Sequence, residues 1–155
     1  MSRVLFVCLG NICRSPAAEG VFAHLAHIGG AFVEVDSAGS GNWHVGEPPY
    51  PEMERAARAR GYDLSQLRAR QFKSYDFERF DLIIAMDKSN KSDIEALRPE
   101  ASATPVHLFL EYADKSSVSE VPDPYYTRKF DEALDLIEMA SAGLLERITT
   151  GSLSP

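Results

Sequence analysis

The sequence predicts an α/β fold, a parallel β-sheet covered by helices on both sides. Three observations lead there. Segments with strand character alternate along the chain with segments of helical period. The strand segments are nearly continuous apolar runs, as strands buried on both faces require, rather than alternating apolar and polar residues. Helix starts follow strands directly, so right-handed crossovers bring strand ends and helix starts to one edge of the sheet.

The first strand is Val4 to Val7, four apolar residues in succession. Ser15 and Pro16 open the first helix as N-cap and first helical residue. Ala18, Val21, Phe22 and Leu25 then recur at helical spacing, and Gly29-Gly30 ends the segment. Ala31 to Asp36 reads as the second strand, closed by the loop Ser37 to Asn42. Pro48 to Arg60 reads as a helix that stops at Gly61. Leu82 to Met86 is a third buried strand, followed by a helix over Asp87 to Leu97 that ends before Pro99. Val106 to Leu110 is the fourth strand. The last helix carries Phe130, Leu134, Ile137, Leu144 and Ile148 on one face. Between these lies Tyr112 to Tyr126, with no regular pattern, and loops of that length in compact domains tend to be functional. The tail over 149–155 is expected to fray.

At 155 residues the chain suits one domain, 1–155, burying about two thirds of its unfolded surface. Hydrophobic content of 45% and charged content of 25% are ordinary for a globular protein in water. No apolar run reaches the roughly 20 residues of a membrane-spanning helix. The apolar N-terminal stretch is too short for a signal-peptide core. Two cysteines close together make no disulfide framework and suit a reducing cytoplasm. A net charge of −7 argues against nucleic acid and anionic membranes as partners. It leaves room for an anionic substrate held by local N–H groups and one arginine.

The run Cys8-Leu9-Gly10-Asn11-Ile12-Cys13-Arg14-Ser15 carries the chemistry. A cysteine ends a buried strand, and Arg14 and Ser15 follow just before Pro16. That layout sets a sulfur nucleophile over a ring of backbone N–H groups at a helix N-terminus. Such a ring binds tetrahedral oxyanions and favours thiolate over thiol. Arg14 matches two oxygens of a phosphoryl group in a bidentate fork. Gly10 permits close backbone approach, and Asn11 tolerates the left-handed conformation that a tight anion loop demands. The simplest chemistry for the loop is attack of sulfur on phosphorus. It lacks the lysine and second glycine of a nucleotide-binding P-loop.

At these residues the chain resembles the low-molecular-weight protein tyrosine phosphatases. The stretch from Val4 to Glu19 matches that family's N-terminal signature, and Asp123-Pro124-Tyr125-Tyr126 matches its acid-bearing motif. Weaker matches are Val35 to Gly39, Trp43, Arg70-Gln71 and Met86 to Asn90. The resemblance implies a four-stranded parallel sheet with helices on both faces, a three-layer α/β/α arrangement. It also implies a two-step phosphatase that needs no metal or cofactor and acts as a monomer on tyrosine-phosphorylated protein or peptide. Cys8 is then the nucleophile, Arg14 the phosphate clamp and Asp123 the general acid. Ser15 hydrogen-bonds the thiolate, while Asn11 and Ser37 hold the loop in shape. The family commonly carries a histidine before Arg-Gln that joins this network, and Ser65 to Gln71 has none.

Around this centre, Leu9, Ile12, Trp43 and Tyr125 are candidates to wall a slot for a flat aromatic ring, with Tyr126 at its rim and His44 beside it. Lone Trp43 also reads as ordinary packing, and Asp123 before Pro124 as a turn residue; the resemblance favours slot and acid. Cys13 reads equally as a buried thiol or, as the resemblance implies, as a partner that can close a reversible disulfide with Cys8. His24 and His27 lack further ligands for a metal and read as an exposed helix face. The arginines at 55, 58, 60, 68 and 70 read as a solvated face, or as a patch that steers acidic phosphopeptides. Three rival functions remain. A thiol-dependent arsenate reductase would relay oxidation to cysteines that this chain lacks. In a phosphoarginine phosphatase of the same family, threonine typically replaces Ile12. A non-catalytic phosphoprotein-binding module needs neither sulfur nor acid.

Overall fold

The computed structural model describes all residues, 1–155. Four strands, β1 (Ser2–Cys8), β2 (Val33–Gly39), β3 (Leu82–Ala85) and β4 (Val106–Leu108), form one all-parallel sheet in the order β2-β1-β3-β4. The main helices are α1 (Arg14–Ile28), α2 (Pro51–Ala59), α4 (Lys88–Glu95) and α6 (Phe130–Thr149). Two four-residue helices, α3 (Asp76–Arg79) and α5 (Pro124–Thr127), were not foreseen from the sequence.

Alternation along β1 builds both cores. Val4, Phe6 and Cys8 face one side, with Leu82 and Ile84 of β3, and pack with α1, α2 and α6. Leu5 and Val7 face the other, with Ile83 and Ala85, and pack with Phe77 of α3 and Ile94 of α4. Every residue from Val4 to Val7 is fully buried, as the apolar run predicts. The fold is the α/β/α arrangement expected, and no helix is long and apolar enough to cross a membrane.

Several boundaries differ from the sequence reading, each for a local reason. The first helix starts at Arg14 with Cys13 as N-cap, so Ser15 and Pro16 sit inside its first turn. Ser15 does not cap because its hydroxyl is engaged with Cys8 and Asn11. Pro16 is tolerated because a first-turn N–H has no helical partner to lose. Strand β2 starts at Val33 and runs to Gly39, paired with Ser2 through Cys8 of β1. Gly30, at φ 71°, turns the chain after α1, and Phe32 is left 84% exposed before pairing begins. Helix α2 starts at Pro51 rather than Pro48. Tyr50 stays extended ahead of that proline, and its N–H is taken by the carbonyl of Ile12. The fourth strand ends at Leu108, and Phe109–Tyr112 form a 3-10 turn.

Two further expectations need correction. The tail does not simply fray: α6 runs to Thr149, Leu153 packs on the main core, and its carbonyl accepts the Tyr112 hydroxyl. The arginines do not form one solvated face. Arg60 pairs with Asp131, Asp135 and Glu138, which ties α2 to α6, and Arg70 pairs with Asp36 and fully buried Asp76.

Helix α6 approaches the 3-10 turn so closely that a Cβ on Gly143 would stand 1.8 Å from the carbonyl oxygen of Tyr112. Backbone cannot yield there as a side chain would. Gly143→Ala is expected to cost about 1–3 kcal/mol, and a thermal melt will read this as a drop of several degrees.

Candidate active site

The C-terminal edge of the sheet collects the polar residues that the sequence singled out. The strand order reverses between β1 and β3, and open α/β sheets place ligands in the crevice at such a switch point. Cys8 ends β1, Gly39 ends β2 with Ser37 two residues before it, and Asp87 follows β3 directly after Met86.

The loop after Cys8 is shaped from outside. The carbonyls of Cys8 and Leu9 accept the N–H groups of Ser40 and Gly41, that of Ile12 accepts Tyr50, and that of Cys13 accepts Ala17. Asn11 N donates to Cys8 Sγ at 3.3 Å. Asn11 takes φ 57°, the left-handed conformation anticipated for it. Gly39 lies under the loop, and a Cβ there would fall 2.8 Å from the Leu9 carbonyl oxygen.

Side chains behind the loop form a directed relay. Arg70 N donates to Asn11 Oδ1 at 2.9 Å, which fixes the orientation of that side-chain amide. Asn11 Nδ2 therefore donates to Ser15 Oγ (2.7 Å) and Ser37 Oγ (3.0 Å). Each hydroxyl must send its own proton elsewhere. Ser15 Oγ lies 3.0 Å from Cys8 Sγ, with the Ala38 carbonyl a longer alternative at 3.3 Å. Ser37 Oγ donates to Glu19 Oε1 at 2.7 Å. The Asn11 N–H and the Ser15 hydroxyl thus converge on the sulfur of Cys8, a residue only 3% exposed.

Arg14 is buried, and two carboxylates hold it in the same way. Asp87 Oδ1 caps α4 by accepting Asn90 N at 2.8 Å, while its Oδ2 accepts Arg14 Nη1 at 2.8 Å. Asp123 Oδ1 accepts Tyr125 N at 3.1 Å, while its Oδ2 accepts Arg14 Nη2 at 3.3 Å. The carbonyl of Val121 receives Nη1 as well. Burial works against the guanidinium charge, but Cys8, Asp123 and Asp87 outweigh it. The Cys13 thiol is pushed well above its ordinary range, first by burial and then by Cys8, so it stays protonated. Both cysteines are free.

A pocket of about 230 Å³ opens over this centre, lined by Cys8, Leu9, Gly10, Ile12, Cys13, Trp43, His44, Asp123, Tyr125 and Tyr126. Trp43 and Tyr126 are 68% and 71% exposed, so they stand at the rim while Cys8 lies at the base. The Trp43 ring rests on Gly41, where a Cβ would fall 1.9 Å from it. Asn11, Ser15 and Ser37 lie behind the loop with their side chains in the relay, so their contribution is to the loop rather than to the pocket wall. All of the predicted site residues therefore gather at one place.

Four participants were missed or left unassigned. His44 lines the pocket, with Nδ1 3.0 Å from Glu47 Oε2. Asp87 was legible only as an acid directly after a buried strand. Glu19 shows in the sequence as a carboxylate four residues after Ser15, on a helix whose neighbours are apolar. Arg70 enters through its peptide nitrogen, which no sequence signal marks.

The sequence profile of the family "Low molecular weight phosphotyrosine protein phosphatase" matches residues 3–152. The low molecular weight protein-tyrosine-phosphatase YfkJ of Bacillus subtilis is 41% identical over 150 residues, covering 96% of each chain. Its crystal structure superposes with a TM-score of 0.92 over 97% of this chain and 96% of that one. A protein tyrosine phosphatase from Entamoeba histolytica, with Hepes in the active site, is 34% identical and gives a TM-score of 0.92 over 97% and 99% of the two chains. The Drosophila arginine phosphatase is 30% identical, with a TM-score of 0.90 over 98% and 100%. On this agreement of sequence, fold and site, the chain belongs to the low molecular weight phosphotyrosine protein phosphatase family.

Proposed function

We propose that this enzyme hydrolyses phosphotyrosine in proteins or peptides, and small aryl phosphates, through a cysteinyl-phosphate intermediate. One observation carries the reading: a sulfur receiving a loop N–H sits at the base of an aromatic-rimmed pocket, with Arg14 and Asp123 3.3 Å apart beside it.

In the first step Cys8 Sγ attacks phosphorus and the bond from phosphorus to the phenolic oxygen breaks. Asp123 gives its proton to that oxygen, which leaves as neutral phenol. A phenol has a pKa near 10, so protonation lowers the barrier substantially. Arg14 and the loop N–H groups stabilise charge on the equatorial oxygens. In the second step the Asp123 carboxylate takes a proton from water, the water oxygen attacks phosphorus, and the S–P bond breaks to restore the thiolate. No step calls for a metal or cofactor. We place the reaction in a reducing cytoplasm, where a free thiolate persists, and assign it to residues 1–155 acting as one monomeric domain.

Ile12 and Leu9 give the pocket an apolar wall, which suits an aromatic ring better than the guanidinium of phosphoarginine. Two cysteines at one loop leave no sulfur elsewhere to relay oxidation in arsenate reduction. A binding module would use neither a buried sulfur nor an acid at the rim.

The discriminating assay compares p-nitrophenyl phosphate, phosphoarginine and arsenate as substrates without added metal. Wild type is expected to turn over the aryl phosphate best, and Cys8→Ser to turn over none of them. Aryl phosphate hydrolysis that survives loss of Cys8 contradicts the mechanism.

Asp123→Ala is expected to lower kcat for an aryl phosphate by a factor of about 10². The loss should shrink as the leaving phenol becomes more acidic, because less protonation is then needed. A near-wild-type rate with a poor leaving group removes Asp123 from the first step.

A further inference from the structure

The turn that carries Asp123 is tied to the rest of the molecule at both ends. At its start Asp123 caps α5 and pairs with Arg14. At its end stands Arg128, which with Asn11 is one of only two non-glycine residues at positive φ, here 64°. Glycine takes that backbone freely and arginine does not, so the reason for arginine lies in its side chain. Nη1 donates to the Tyr50 hydroxyl at 3.0 Å and to the Tyr125 carbonyl at 3.2 Å, and Nη2 donates to Glu52 Oε2 at 2.6 Å. The guanidinium also lies over the Tyr50 and Phe130 rings, 5.3 and 5.2 Å from their centroids. An exposed ion pair alone contributes little, but a planar fork shared among three acceptors and two rings is held to one geometry.

The other side of this clamp is bonded to the loop that carries Cys8. Tyr50 N donates to the Ile12 carbonyl at 2.8 Å. Glu52 stands in the first turn of α2, whose Met53 and Ala57 are fully buried. The Tyr50 ring meets that of Tyr125 edge-on, with centroids 5.4 Å apart. Arg128 therefore joins the acid turn to a segment that is itself fastened to the nucleophile loop.

We propose that Arg128 is a positioning residue for Asp123, holding the acid turn at a fixed distance from Cys8 through Tyr50 and Glu52. The inference rests on the reading of Asp123 as general acid. A helix of a single turn has too few internal hydrogen bonds to hold its own shape. Before reaction the pair with Arg14 helps to hold it. Proton transfer needs Asp123 protonated and Arg14 turned to the phosphoryl oxygens, and in that state the pair is gone. Arg128 does not line the pocket, so its clamp stays closed through that step.

Tyr125 also walls the pocket, so losing the clamp has two separable consequences. A displaced wall weakens every aryl phosphate alike. A displaced acid penalises the poor leaving groups, which need the proton most.

The test compares kcat/KM for wild type, Arg128→Gly, Tyr50→Phe, Asp123→Ala and the double variant of Arg128→Gly with Asp123→Ala. The substrates are phenyl, p-nitrophenyl and dinitrophenyl phosphate, in order of increasingly acidic phenol. Glycine at 128 removes the clamp and keeps the left-handed turn. Arg128→Gly is expected to lose about tenfold on phenyl phosphate and less than about twofold on dinitrophenyl phosphate, a part of what a general acid supplies. Tyr50→Phe removes a single acceptor and should lose about threefold on phenyl phosphate. In the Asp123→Ala background Arg128→Gly should cost less than about twofold, because it acts through Asp123. Hydrogen exchange at the amides of 126–128 reads the clamp without turnover. It should quicken in Tyr50→Phe, although residue 50 lies outside that segment.

Equal losses on all three phosphates, or the full tenfold loss in the Asp123→Ala background, overturn the proposal. If Asp123→Ala shows the leaving-group dependence and Arg128→Gly does not, the inference fails and the phosphatase reading stands. If Asp123→Ala lacks that dependence, acid and clamp fall together. Should Arg128→Gly fail to fold, Tyr50→Phe decides by the same leaving-group dependence and exchange.

Discussion

A peptide nitrogen can only donate, and the N–H of Arg70 donates to the side-chain carbonyl of Asn11. From that one bond the direction of each remaining hydrogen bond behind the loop follows. The Asn11 amide must present its N–H groups to Ser15 and Ser37, and those hydroxyls must pass their own protons onward, Ser37 to Glu19 and Ser15 to Cys8 or the Ala38 carbonyl. The Arg70 backbone is itself held fast. Its carbonyl accepts Gly39 N, and its guanidinium is clamped between Asp36 and buried Asp76. A segment 59 residues away thus decides which way the donors around the sulfur point.

Arg14 is held by a second device, repeated twice. Asp87 and Asp123 each spend one carboxylate oxygen on capping the helix that follows and turn the other to Arg14. Helices begin at this edge because the strands of a parallel sheet all end there. Capping fixes each carboxylate in place, so the arginine is oriented without a separate scaffold. The same loop geometry that caps α5 therefore brings the Asp123 carboxyl to the mouth of the pocket.

Much of this was legible in the sequence, and the parts that were not share a cause. The uninterrupted Val4 to Val7 run gave the central strand, because a strand buried on both faces has no polar residue to show. Cys8 to Ser15 and Asp123 to Tyr126 gave the centre of the site, because each element is local in the chain. The N-cap role read for Ser15 failed because a tertiary partner, Cys8, outcompeted the local one. Pro48 misled because Tyr50 is held extended by a distant carbonyl, that of Ile12. Arg60 and Arg70 looked like exposed charge because their partners lie far away in sequence. Glu19 and the Arg70 peptide join the site through contacts that only folding creates. Helices α3 and α5 are four residues each, too short to carry a period.

The central claim is that the Cys8 sulfur itself carries the phosphoryl group between two half-reactions. The most direct measurement mixes Asp123→Ala enzyme with an aryl phosphate whose leaving group needs little protonation, quenches within the first turnover, and maps the digest by mass spectrometry. The account predicts one phosphoryl group on the peptide that contains Cys8, appearing with the released phenol and decaying as inorganic phosphate forms. Release of phenol and phosphate together, with Cys8 never phosphorylated, would contradict it.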